Sequence, residues 1–275
     1  MCDNLITVRQ GKPDEAQVPC GRCTRCFARR ISGWSFRLMM EDRHALSSHF
    51  ITLTYATQYL PRSTNKFATL SKRHVQLFFK RLRKINAHKL KYYCVGEYGT
   101  RFRRPHYHII LFNAEVSTIS RAWCNKKGRP IGNIYYGTVT GASVGYCLKY
   151  MSKPKGNRMH RRDDRQVEFS LMSKALGAAY LTEAMRKWHE AKLEERMYCV
   201  LEGGKKISMP RYYKDKIYTE NMRKIVSEAQ MYRIEQEQLK ERQLYLNDDT
   251  YWHNKHAAIK ASYSRMHFKA LQGRE

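Results

Sequence analysis

Two histidines one residue apart, His106 and His108, open an apolar run that ends at Phe112. In an extended chain alternate side chains share a face, so the two imidazoles stand together while Tyr107, Ile109 and Leu111 face the other way. Imidazoles paired on a rigid strand can share a metal ion; they can equally be core filler or a surface pair. Further on, Tyr146, Lys149, Tyr150 and Lys153 fall within an arc of about 100° if their stretch is helical. A phenol is a weak nucleophile, with an ordinary pKa of about 10. It attacks a phosphodiester when a metal polarises the phosphate and cations meet the developing charge. The competing reading is an amphipathic helix with rim tyrosines and solvated lysines.

Glu97 ends a β-rich stretch just before Gly99–Pro105, and the histidine strand follows. A hairpin over these residues brings the Glu97 carboxylate near His106 and His108, unless it pairs instead with Arg101, Arg103 or Arg104. A second group of possible ligands is Cys20, Cys23 and Cys26, with Cys2 as a fourth thiolate. Four thiolates close a tetrahedral zinc site. Three free thiols at a helix start, or an iron–sulfur cluster with a remote fourth ligand, are the other readings.

The elements that must position these groups are legible from patterning. Phe50 to Tyr55 alternates apolar residues with threonine, as a strand does. Ser71 to Asn86 predicts a helix: Ser71 is a good N-cap, Leu70 and Val75 occupy staple positions, and Val75, Phe78, Phe79, Leu82 and Ile85 repeat at helical spacing. Its cations Lys72, Arg73, Lys80, Arg81, Arg83 and Lys84 form a solvated face or a track for phosphates. Lys91 to Glu97 is a strand, Ser117 to Trp123 a short helix, and Ile134 to Val139 another strand. Ser143 to Ser152 is the tyrosine helix, with Ser143 as cap. Residues 1 to 19 read as an arm or loop, and 27 to 46 as a helix. Gly156 to Gln166 reads as a basic loop that contacts phosphates or lacks order, Met209 to Tyr213 as a loop, and Asp215 to Asn247 as one long charged helix. This order predicts an α+β fold, an antiparallel sheet flanked by helices, with a long C-terminal helix.

Composition narrows the partners. Lys and Arg total 52 against 24 Asp and Glu, a net charge of +28. Such an excess favours a polyanion, and nucleic acid over an anionic membrane, because the 12% aromatic residues can stack on unpaired bases. No stretch of 18 or more apolar residues occurs, so no membrane span is expected. The N-terminus lacks the basic-then-apolar pattern of a secretory signal. Eight cysteines in 275 residues do not make a disulfide scaffold. No Gly-x-x-x-x-Gly-Lys-Ser/Thr loop occurs, which argues against a fused ATP-driven helicase.

Taken together, His106-Tyr107-His108 resembles the His-hydrophobe-His motif of the HUH endonucleases. Tyr146-x-x-x-Tyr150-x-x-Lys153 resembles the paired-tyrosine motif of their rolling-circle replication initiators, and Phe50-Ile51-Thr52-Leu53-Thr54-Tyr55 their first motif. The order of the three is the family's. The chain is similar, more narrowly, to microvirus initiators of the gokushovirus type, with further likeness at Pro19–Cys26, Phe169–Ser173 and Pro210–Tyr213. Tyr107 departs from the aliphatic middle residue. The resemblance implies an HUH nuclease core over 49–156, after a cysteine-containing arm and helix over 1–48 and before a basic loop and helical region over 157–275. It implies Mg2+ or Mn2+ on His106, His108 and Glu97, attack by Tyr146 or Tyr150, and help from Lys149 and Lys153. It further implies single-stranded viral origin DNA as substrate, a host polymerase and helicase as partners, and the bacterial cytoplasm as location. Two readings from other classes stand beside it: a non-catalytic protein that coats or packages DNA, and a zinc-dependent RNA-binding module resting on the cysteines.

Overall fold

The computed structural model describes residues 2–13, 15–99, 101–149 and 160–272. The chain begins with a hairpin, β1 (Leu5–Val8) and β2 (Ala16–Pro19), and continues into α1 (Thr24–Asp42). Then follow β3 (Ser48–Leu53), α2 (Lys72–Ile85), β4 (Lys91–Tyr98), β5 (Pro105–Phe112) and α3 (Val116–Ala122). Next are β6 (Ile134–Gly137), α4 (Gly141–Lys149), β7 (Phe169–Met172) and α5 (Glu183–Glu190). A second hairpin, β8 (Tyr198–Val200) and β9 (Lys206–Ser208), leads to α6 (Arg211–Ile217), α7 (Glu220–Leu244) and α8 (Asp249–Gln272). Two compact units result: Met1–Phe36 with Ala179–Lys269, and Arg37–Ala178 with Ala270–Glu275.

The unit from Arg37 to Ala178 is organised by a five-stranded, wholly antiparallel sheet in the order β6-β3-β5-β4-β7. With helices against it, the fold is α+β. The central strand β5 alternates as its sequence requires. Tyr107, Ile109 and Leu111 enter a core with Val75, Phe78, Phe79 and Leu82 of α2 and Ile119 and Trp123 beyond it. Burying each such aliphatic or phenyl side chain contributes about 1.5–3 kcal/mol. Phe79 stacks on Tyr92 of β4 at 3.5 Å between centroids, joining helix to sheet. Ser71 caps α2 by accepting a hydrogen bond from His74 N–H.

Tyr107, the residue out of keeping with an aliphatic strand, is fully buried, and its hydroxyl is satisfied. It accepts from Ser71 N–H at 2.8 Å, donates to the Ser71 carbonyl at 3.2 Å, and meets the Tyr55 hydroxyl at 2.9 Å. One ring thus fills the core and ties the histidine strand to the start of α2.

In the other unit, Phe36 packs edge-on against Tyr180 and Tyr213, at 5.0 and 5.7 Å. His189 is buried beside them. Helices α7 and α8 are largely exposed and are held to each other by Trp252 Nε1–H on the Tyr245 carbonyl and Lys255 on Glu241. No helix among the described residues is long and apolar enough to cross a membrane.

Several local expectations change. Residues 5–19 form a hairpin rather than an irregular arm. α1 starts at Thr24 and ends at Asp42, both earlier than its apolar stripe implies. Ser143 is not the cap of α4: Thr140 is, with Ser143 in the third position, each hydroxyl accepting the other's backbone N–H. The single long C-terminal helix is broken at Thr219, which caps α7, and again between α7 and α8. α6 already begins at Arg211, inside the segment read as a loop. In the basic loop, residues 160–166 are tied down: Asn65 donates to the Arg162 carbonyl, and Arg165 is paired with Asp163.

Candidate active site

The site follows from strand register. In the β4–β5 ladder Glu97 is directly opposite His106, and Val95 opposite His108. In the β3–β5 ladder Thr52 is opposite His108. Directly opposed residues share a face, so Glu97, His106, His108 and Thr52 all stand on the side of the sheet away from α2. On that side α4 packs against β5. Its Val144, Cys147 and Leu148 are buried, while Tyr146 is 38% exposed.

Three polar groups converge on one atom, Glu97 Oε1. His106 Nε2 lies 2.8 Å from it, His108 Nε2 2.9 Å, and the Tyr146 hydroxyl donates to it at 3.1 Å. The Tyr146 ring stands edge-on to His108 at 4.9 Å. Behind the histidines, His106 Nδ1–H donates to the Arg104 carbonyl at 3.1 Å, and His108 Nδ1 meets Thr52 Oγ1 at 2.9 Å. Arg104 itself donates to the Tyr55 carbonyl at 2.7 Å, and Glu97 pairs with the histidines.

This donor set fits a divalent cation. With each Nδ1 engaged by an oxygen, each neutral imidazole presents its Nε2 lone pair toward a carboxylate oxygen. Lone pairs so placed need a proton or a cation between them. Metal bonds of about 2.1 Å meeting at right angles put donor atoms about 3 Å apart, close to the spacing seen. Glu97, His106 and His108 offer donor atoms all within 4.8 Å of one another. Burial opposes ionisation of Glu97, but hydrogen bonds from His106 and His108 and their charge hold its carboxyl down at about 2. Burial, then the charge and hydrogen bond of Glu97, push the Tyr146 phenol above its ordinary value.

Of the other residues singled out in sequence, Lys149 is the last residue of α4. Tyr150 and Lys153 lie outside the described residues. Thr52 and the Arg104 carbonyl are additions that the motifs do not name. The alternation of threonines in 50–55 is the signal for Thr52, since it puts Thr52 on the face opposite Ile51 and Leu53. Cys2, Cys20, Cys23 and Cys26 also come together, their sulfurs within 4.8 Å of one another.

Comparison with known proteins gives concordant matches. Residues 48–155, which contain the sheet strands β3 to β6 and α4, match the family described as replication-associated protein ORF2. The chain is 26% identical over 213 residues to replication-associated protein ORF2 of Spiroplasma virus 4, covering 71% of this chain and 66% of that protein. It is 27% identical over 213 residues to replication-associated protein VP4 of Bdellovibrio phage phiMH2K, covering 72% of this chain and 66% of that one. It is 25% identical over 253 residues to replication-associated protein ORF4 of Chlamydia phage 1, covering 82% and 58%. The chain therefore spans a little under two thirds of the length of the curated relatives it matches. No solved structure matches. Residues 48–155, with the convergent histidine, glutamate and tyrosine groups, belong to the replication-associated protein ORF2 family, and the chain is a relative of phage replication proteins.

Proposed function

We propose that the chain initiates rolling-circle replication by nicking single-stranded origin DNA with a tyrosine and later rejoining the displaced strand. The observation that carries this reading is the meeting of Tyr146 Oη with both histidine Nε2 atoms on Glu97 Oε1. A hydroxyl able to attack sits within hydrogen-bond reach of the ligands able to hold a metal. The printed names of the relatives, all replication-associated proteins, support the same reading.

His106, His108 and Glu97 hold Mg2+ or Mn2+. The cation, when bound, offers positive charge to a phosphate oxygen and to the carboxylate that otherwise keeps the phenol protonated. The remaining work belongs to the chain. The buried strand fixes both imidazoles, and Thr52 and the Arg104 carbonyl set their tautomers. α4 carries Tyr146 to the same point. The Tyr146 oxygen forms a bond to phosphorus, the bond to the 3′ oxygen breaks, and the phenolic proton leaves as the 3′-OH forms. The product is a 5′-phosphotyrosine link and a free 3′ end from which a host polymerase extends, helped by a host helicase. Tyr150, four residues on in sequence, attacks the regenerated origin and passes the strand on. Lys149 and Lys153 supply positive charge to the phosphate. The covalent link conserves the phosphodiester bond energy, so rejoining needs no ATP.

The test mixes purified protein, single-stranded fragments of the genome that encodes it, and Mn2+ or Mg2+, and looks on a denaturing gel for protein carrying covalent DNA. A shifted band that vanishes with EDTA and maps to Tyr146 or Tyr150 supports the reading. Tight, salt-sensitive binding to all fragments without any adduct would replace it with a DNA-packaging role.

A further inference from the structure

We propose that Cys2, Cys20, Cys23 and Cys26 bind one zinc ion in a closed four-thiolate site that fastens the N-terminal hairpin to the start of α1. The site lies in the unit that does not hold the histidines, and its role is structural rather than catalytic.

The geometry is that of a tetrahedral cage. Four sulfurs about 2.3 Å from a common centre stand about 3.8 Å apart. Cys2 Sγ and Cys23 Sγ are 3.8 Å apart, and all four sulfurs lie within 4.8 Å of one another. None of the four is in a disulfide. The backbone is wrapped around the sulfurs. Arg22 N–H and Cys23 N–H both donate to Cys20 Sγ, at 3.4 and 3.3 Å. Cys26 N–H donates to Cys23 Sγ at 3.4 Å, and Cys20 N–H to Cys2 Sγ at 3.2 Å. Neutral thiols are weak acceptors; four amides aimed at three sulfurs suit thiolates. The turn that permits this passes through Gly21 at φ +70°, a conformation in which a side chain is strained.

Charge is balanced locally. A zinc ion with four thiolates carries a net charge of −2. Arg22, Arg25, Arg29 and Arg30 lie in or just after the cysteine segment, and α1 begins at Thr24, so its N-terminal amides face the same group. Binding replaces four S–H bonds with four Zn–S bonds and releases up to four protons. One of these is the Cys2 thiol proton, which points to the Asn4 carbonyl at 3.1 Å.

The hairpin needs such a fastening. A two-stranded hairpin alone is marginal in water, and this one has almost no core. Six of its eight strand residues are exposed, Leu5 and Ile6 among them. Cys23, by contrast, is fully buried. What holds Cys2 against Cys20 and Cys23 is therefore the sulfur cluster, beside an Arg25–Asp3 ion pair at 3.1 Å, rather than apolar packing. α8 closes over the same place: Ser262 meets Thr24 at 3.3 Å, and the Tyr263 hydroxyl hydrogen-bonds Cys23. Soft thiolates without an oxygen or imidazole ligand select zinc over Mg2+ or Mn2+, and four of them leave no open coordination position.

The test uses the full chain purified under reducing conditions without chelator. Elemental analysis is expected to find one zinc per chain, retained when His106 is changed to alanine and lost in Cys23→Ser. Because Cys23→Ser could fail by misfolding, X-ray absorption on the wild-type protein gives the independent measure: four sulfurs at about 2.3 Å from zinc and no lighter ligand. Three results overturn the proposal. One is no zinc even after growth and reconstitution with it. Another is iron with acid-labile sulfide, which assigns a cluster instead. The last is a nitrogen or oxygen ligand in the zinc shell.

Discussion

Thr52 Oγ1 lies 2.9 Å from His108 Nδ1, and the two residues are direct partners across the β3–β5 ladder. The threonine therefore decides which imidazole nitrogen is left for a metal. Thr52→Val keeps the strand former and removes the hydroxyl. Affinity for Mn2+ is expected to fall about 10–100-fold, the usual effect of losing such a partner, with the fold intact. Titration calorimetry checks this; unchanged affinity would show that the hydroxyl does not orient His108.

The tyrosines divide the covalent chemistry between them. In a single-turnover assay the Tyr146→Phe, Tyr150→Phe double variant is expected to form no DNA adduct. Peptide mapping of each single variant then identifies the residue that remains. An adduct in the double variant would place the nucleophile elsewhere in the chain.

Tyr107 is expected to matter for stability rather than cleavage. Tyr107→Phe leaves the ring in the core but strips a partner from the Ser71 backbone and from the buried Tyr55 hydroxyl. Leaving buried polar groups unpaired costs about 1–3 kcal/mol. Urea denaturation should show a loss in that range, while adduct formation at saturating metal persists. A variant as stable as wild type would mean that water replaces the phenol.

Much of this arrangement is legible in the sequence alone, and the reasons are local. The alternation from Pro105 to Phe112 fixes which face holds the histidines. The helix from Lys72 to Ile85 carries its own cap and stripe, and both ends match. The hairpin between Glu97 and His106 follows from a glycine at its start and a proline at its end. Other features have no such signal. β7 is four residues with a serine in the middle and is strand only because β4 needs a partner. β1 and β2 bury almost nothing, so no periodicity marks them. The convergence on one carboxylate oxygen depends on register, which a hydrophobic pattern restricts but does not number. The break at Thr219 is readable as a cap, yet the charged run on both sides hides it.

Acid sensitivity should trace in part to His189. This ring is fully buried; its Nδ1–H donates to the Arg196 carbonyl and its Nε2 accepts from the Tyr180 hydroxyl. Both nitrogens are satisfied in the neutral form. Burial pushes its pKa below the ordinary 6.5. The unfolded chain then binds the proton more readily than the folded one, so stability is complete above about pH 6.5 and declines as pH falls below it. Chemical denaturation at about pH 7.5 and about pH 5.5, on either side of the ordinary histidine value, should show wild type losing more on acidification than His189→Gln. Equal losses would remove His189 as the cause.

The β4–β5 pairing has one more consequence. Because the pleat repeats every two residues, a slip of one residue would turn His106 and His108 into the aromatic core and swing Tyr107 out to face α4. A mispaired molecule thus loses its interior and its ligand set in the same error. Tight manganese binding by a refolded sample is therefore a census of correctly assembled molecules, and bound metal per chain reports the yield of folding.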